Sequence, residues 1–224
     1  MQSNNPILTR VDTHSDFGQS MTVQGAIQKS VLLTVIAAVV GLSLFFYSFI
    51  SLNVSLAYAG AIVGAIGGFI LALVATFKPN TARMLAIPYA LFEGAFLGGI
   101  SVIFQLKFPG VPLQALLATF VTTLVMFALY RFKIIRATEK FKAVVLSASI
   151  AIAIVFMVQI VMRLAFSSSV PYIFESNWLG IAFAAFVAVI ASLNLILDFD
   201  LIETSAAERA PKAMEWLCGI ALLA

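Results

Sequence analysis

The chain has 224 residues, 62% of them hydrophobic and only 10% charged, with a mean hydropathy of +1.07 and a formal charge of +3. Ordinary globular domains carry about 25% charged residues, so this composition leaves no room for a soluble fold and points to membrane spans. One Cys (Cys218) and one His (His14) exclude an internal disulfide and a Cys/His metal cluster within one subunit.

Residues 1–30 are polar and of mixed charge, with Asn4, Asn5, Pro6, Asp12 and Asp16. They read as a cytoplasmic arm, with an interfacial helix over Thr22 to Lys29. A secretory signal is not expected, because the apolar run starts near residue 31 and is longer than an h-region. From there to residue 224 the chain reads as one transmembrane domain.

The predicted spans are about 31–50, 59–77, 84–104, 113–130, 143–162 and 178–197. Helices of this length at about 1.5 Å per residue cover a hydrocarbon core of roughly 30 Å. The second span carries Gly60 and Gly64, a small-xxx-small spacing that lets a neighbouring backbone approach, and Gly98 in the third span reads the same way. Glu93 lies near the middle of that third span, one turn beyond Pro88. A carboxylate at this depth must be protonated, paired or hydrated, so Glu93 is either a structural hydrogen-bonding group or lines a pore. Gln159 in span five and Asn194 in span six are the other polar groups expected inside the protein. The last run, 212–224, reads as the first half of a seventh span cut off by the end of the chain.

Orientation follows from the basic residues. With the N-terminus inside, Arg10, Lys29, Lys78, Arg83, Arg131, Lys133, Arg136, Lys140, Lys142, Arg209 and Lys212 fall on cytoplasmic segments, and of the 13 only Lys107 and Arg163 fall outside. This bias predicts a multi-pass protein with a cytoplasmic N-terminus and gives the basic loop 131–142 a topological role.

Three acids then stand at the cytoplasmic end of span six: Asp198, Asp200 and Glu203. Asp198 and Asp200 point about 200° apart on a helix, so they cannot share one site. Asp200 and Glu203 share a face, as do Asn194 and Asp198. The Asp200–Glu203 face is the better candidate for a metal or proton site. The bland alternative is a wetted helix end. No phosphate-cradling loop, nucleophile elbow or zinc motif is present, and basic residues do not interleave with aromatics as nucleic-acid surfaces require. No enzyme, no cofactor and no nucleic-acid partner are expected; the lipid bilayer is.

The segment Leu197-Asp-Phe-Asp-Leu-Ile-Glu203 resembles the signature that ends helix six in the Bax inhibitor-1 superfamily of seven-helix membrane proteins. Four other pieces resemble its bacterial, YccA-like branch: Asn5-Pro6 to Arg10, Met21-Thr-Val-Gln-Gly25, Tyr89-Ala90 to Glu93-Gly94 to Leu97-Gly98, and Ser205 to Trp216. The resemblance implies an all-α, polytopic membrane helix bundle of the seven-helix Bax inhibitor-1 type, its last helix truncated, in the inner (plasma) membrane. It also implies a calcium leak whose rate depends on pH, in which two aspartates on helices six and seven share a proton. Asp200 matches the helix-six member, and the second acid would lie beyond Ala224. Span two has no match for the family's central arginine. Ca²⁺ or protons are thus the ions expected to move. A non-conducting membrane scaffold and a secondary transporter are the competing functions.

Overall fold

A computed structural model describes residues 20–166, 173–174 and 177–223. The Asn5–Pro6 to Arg10 stretch, His14, Pro171, Glu175 and Ala224 lie outside the described residues.

The fold is all-α. Its helices are α1 (Val23–Ile50), α2 (Val54–Phe77), α3 (Ala82–Lys107), α4 (Val111–Arg131), α5 (Glu139–Phe166), α6 (Trp178–Ala207) and the shorter α7 (Ala213–Leu223). The first six are long and apolar enough to cross a membrane, α3 together with the short 3-10 turn Pro79–Thr81 that leads into it. Across these spans no more than 33% of the most apolar stretch is buried in the protein, and the remaining side chains are free to face lipid. The protein is a multi-pass membrane protein.

Several helices extend beyond the apolar stretches, because their backbone caps lie outside the hydrophobic runs. Thr22 caps α1, accepting from the Gly25 N–H at 2.9 Å, and Asn53 caps α2, accepting from Leu56 at 3.1 Å. The Thr138 hydroxyl accepts from Phe141 at 3.3 Å at the start of α5, and the Asn177 side chain from Gly180 at 2.8 Å at the start of α6. Short polar side chains of this type satisfy first-turn N–H groups that a helix cannot satisfy itself. Pro88 does not end α3, which runs through it.

Three helices close with a left-handed residue that is not glycine: Leu52, Lys133 and Arg209, at φ of 53°, 57° and 54°. In each case the next residue's N–H reaches back to a carbonyl in the last turn: Asn53 to Ser48, Ile134 to Leu129 and Ala210 to Ser205. These are Schellman closures, which stop a helix and satisfy its last carbonyls.

The chain divides into two compact units, residues up to Ala118 with those from Leu201 onward, and Thr119–Asp200. In the first, α1, α2, α3 and α7 pack around small side chains. Ala37, Ala86 and Ala90 are buried together with Leu33, Tyr89, Met214 and Cys218. Small residues allow the close backbone approach on which helix association in a bilayer depends. A Cβ on Gly98 would strike the Gly41 backbone of α1, and one on Gly64 would lie 2.6 Å from the Phe92 carbonyl of α3. At Gly60 it would meet the Leu44 side chain at 2.5 Å. In the second unit the Asn194 amide of α6 donates to Ser149 of α5 at 2.8 Å, and Asp200 of α6 meets Lys142 of α5. The pairing of 194 with 149 and 200 with 142 makes these two helices antiparallel.

Candidate functional site

Within the second unit, the end of α6 is oriented by its aromatic residue. Phe199 packs edge-on against Phe127 at 5.5 Å and tilted against Tyr130 at 5.9 Å, both from α4. Offset and edge-on aromatic contacts of this kind fix a ring's position as well as burying it. With Phe199 held there, Asp198 and Asp200 leave the helix on its two flanks, as the helical period requires.

Asp200 then reaches α5. Its Oδ2 lies 2.8 Å from the Lys142 Nζ, with side chains 21% and 37% exposed. The same ammonium lies 3.4 Å from Glu139 Oε1, a carboxylate that is 92% exposed. Lys142 therefore bridges two acids, one half-sheltered and one in water. Asp198 is half-buried and makes no hydrogen bond or ion pair with another described residue, whereas Glu203 is exposed. Two residues below Ile196, Asn194 is anchored by Ser149 and by its own helix through the Ile190 carbonyl at 3.0 Å. Gln159 is buried in α5.

Among its described residues the first unit holds two sheltered carboxylates, Glu93 and Glu215. Glu93 is half-buried in α3, with the Tyr89 hydroxyl in hydrogen-bonding range one turn earlier on the same helix. Its carboxylate faces Gly68 of α2, where a Cβ would lie 3.4 Å from Oε2. Glu215 of α7 is 2% exposed, and its Oε1 accepts from the Thr22 backbone N–H at 3.1 Å and the Thr22 hydroxyl at 3.3 Å. The carboxylate sits against Gly25, where any Cβ would collide with it. Beside it, Met21 N–H donates to the Ala210 carbonyl at 2.8 Å, and the Lys29 ammonium lies 4.8 Å from the centre of the Trp216 ring. An acid at the N-terminus of α1 meets both unsatisfied N–H groups and the positive end of the helix dipole.

The sequence singles out Asp198, Asp200, Glu203 and Glu93; the structure adds one further buried acid, Glu215, and three residues that touch these acids, Lys142, Tyr89 and Thr22. From the sequence, Lys142 has a topological role alone. Tyr89 was legible as an i, i+4 partner of Glu93, since such pairs face one another on a helix. Thr22 and Glu215 carry no local signal of their contact, because 193 residues separate them.

Among the described residues, no group of three or more His, Cys, Asp and Glu could hold a metal ion. The acids instead occupy separate settings: Asp200 faces a lysine, Glu93 a tyrosine, and Glu215 a helix N-terminus.

No curated protein and no solved structure matches the chain. The family model described as Bax inhibitor 1 like matches residues 5–224, which takes in every helix described above and both docked motifs at the chain's ends. With six apolar spans followed by the short α7, the chain belongs to the Bax inhibitor 1 like family.

Proposed function

We propose that this protein is a passive, pH-sensitive calcium leak in the inner membrane of a bacterium, with its N-terminus in the cytoplasm and Asp200 as the acid that the moving ion meets. The reading is supported by family membership and by one observation above all. Asp200, the residue that matches the family's helix-six acid, is half-sheltered and holds a cation, the Lys142 ammonium, at 2.8 Å. A carboxylate that keeps a monovalent cation in place offers oxygen ligands of the kind Ca²⁺ prefers. The excess of basic residues on the segments assigned to the cytoplasm supports the orientation. Ions move here without chemical turnover, and no side chain is assigned a catalytic role.

Glu93, half-buried, and Gln159, buried, serve as polar groups of the helices, Asn194 as an anchor between α5 and α6, and Asp198 and Glu203 as acids flanking Asp200. Gly60, Gly64 and Gly98 serve helix packing.

The test is calcium flux into liposomes at several pH values, with the parent, Asp200→Asn and Asp198→Asn compared. The parent should admit Ca²⁺ at a rate that changes with pH. Asp200→Asn should flatten that dependence, and Asp198→Asn should retain most of it. Flux in the parent that Asp200→Asn leaves unchanged would remove Asp200 from the path. No flux in the parent at any pH would favour a non-conducting scaffold, and flux obligately coupled to a second ion would favour a secondary transporter.

A further inference from the structure

The Lys142 ammonium stands between two carboxylates of unequal shelter. It lies 2.8 Å from Asp200, which is 21% exposed, and 3.4 Å from Glu139, which is 92% exposed and one turn away on the same helix. The basic stretch 131–142 also carries Arg131, Lys133, Arg136 and Lys140, all exposed, yet of its five cations only Lys142 turns to the helix-six acid. We infer that Lys142 is a tethered competitor for the ion site, holding Asp200 against divalent cations and withdrawing onto Glu139 when one binds.

From the proposed function this inference takes only that Asp200 is the acid that meets the divalent ion. Its physical basis is simple. An ammonium already held by a carboxylate weakens the binding of Ca²⁺ to the same group, because like charges a few ångströms apart repel in a half-sheltered setting. Yet an ion pair of this exposure is weak enough to break and re-form, since water and counter-ions screen it. The flexible four-carbon stem of lysine allows its ammonium to swing between partners without moving the helix. Glu139 supplies the second partner, so the ammonium need not enter water unpaired when it leaves Asp200. The hindrance to Ca²⁺ is therefore set by the difference between two carboxylates on one lysine. Lys142 is a positioning and selectivity residue, and Glu139 sets how readily it lets go.

Two substitutions should act in opposite directions. Lys142→Gln removes the competitor and should lower the Ca²⁺ concentration for half-maximal flux by about two- to fivefold, the range expected for a weak surface pair. It should also raise the ratio of Ca²⁺ to K⁺ flux. Glu139→Gln removes the resting place and should shift both quantities the other way. Lys142→Arg keeps the charge and should stay near the parent. A merely structural role for Lys142 would change the amount of folded protein without moving the Ca²⁺ to K⁺ ratio, and that result would overturn the inference.

Direct binding separates this test from that of the leak itself. With the detergent-solubilised full chain and radioactive Ca²⁺, Lys142→Gln should bind more tightly than the parent by the same factor, and adding Asp200→Asn should abolish the gain. That pattern in a protein that shows no flux would overturn the leak and leave the tethered competitor standing. Flux with unchanged affinity in Lys142→Gln would do the reverse.

Discussion

Glu215 and Thr22 lie 193 residues apart in the chain and are joined twice: the carboxylate accepts from the Thr22 backbone N–H at 3.1 Å and from its hydroxyl at 3.3 Å. The contact ties α7 to the first turn of α1. It also brings together two of the segments whose residues carried the family resemblance, Met21 to Gly25 and Ser205 to Trp216. Each segment looks like an unremarkable polar boundary when read alone. Folded, they form one joint, extended by the Met21 to Ala210 hydrogen bond.

The joint gives a graded prediction. Glu215→Leu strips the acceptor from two donors and should destabilise the fold by about 1–3 kcal/mol, the usual cost of leaving buried partners unpaired. Glu215→Gln keeps an acceptor oxygen and should cost less. Gly25→Ala should behave like the leucine variant, since its Cβ would occupy the space of the carboxylate. Thermal unfolding in detergent reads all three. A stability for Glu215→Leu equal to the parent would mean that α7 is held by apolar packing alone.

Packing between α2 and α3 predicts a contrast between two glycines one turn apart. A Cβ on Gly64 would strike the Phe96 backbone N and lie 2.8 Å from its Cα. Backbone cannot rotate aside as a side chain can, so Gly64→Ala must push the helices apart and should cost about 1–3 kcal/mol. On Gly68 the nearest atom is the Glu93 Oε2 at 3.4 Å, an ordinary contact with the end of a side chain. Gly68→Ala should therefore stay within about 1 kcal/mol of the parent, helped by the better helix propensity of alanine. The comparison needs only melting temperatures of the two variants, and a reversed order would show that α2 does not pack on α3 through Gly64.

What the sequence revealed and what it concealed follow from the physics of each signal. The six spans were legible because hydropathy reports the solvent, and each apolar stretch is long enough to cross hydrocarbon. Helix ends were less legible. The backbone of α1 begins at Val23 under the Thr22 cap, although the apolar stretch starts near residue 31. Capping and hydropathy are separate properties, and the interfacial helix expected over Thr22 to Lys29 is continuous with the first span in the single helix α1. The opposed directions of Asp198 and Asp200 came straight from the helical period. That Lys142 would be the cation beside Asp200 could not be read, because it depends on how α5 and α6 pair, and five basic residues of one loop were equivalent candidates. The same holds for Thr22 and Glu215, whose contact is a tertiary event with no local period.

The last prediction concerns Glu93 and the tyrosine one turn before it. Tyr89 is 2% exposed and its hydroxyl has Glu93 within hydrogen-bonding range. Glu93→Gln preserves an acceptor and should fold and insert nearly as well as the parent. Glu93→Leu leaves a buried hydroxyl without that partner and should cost about 1–3 kcal/mol. Tyr89→Phe alone should leave the carboxylate short of a donor and also destabilise. When both partners are replaced by apolar groups, the penalty of an unpaired polar atom disappears, so Tyr89→Phe with Glu93→Leu should be more stable than the sum of the two single changes predicts. Unfolding temperatures of the four proteins complete the cycle. Strict additivity would mean that Tyr89 and Glu93 do not interact, and Glu93 would then be supported by water or another polar group at that depth. If Glu93→Gln keeps the melting temperature but abolishes calcium flux, the carboxylate belongs to the ion path and not to the scaffold.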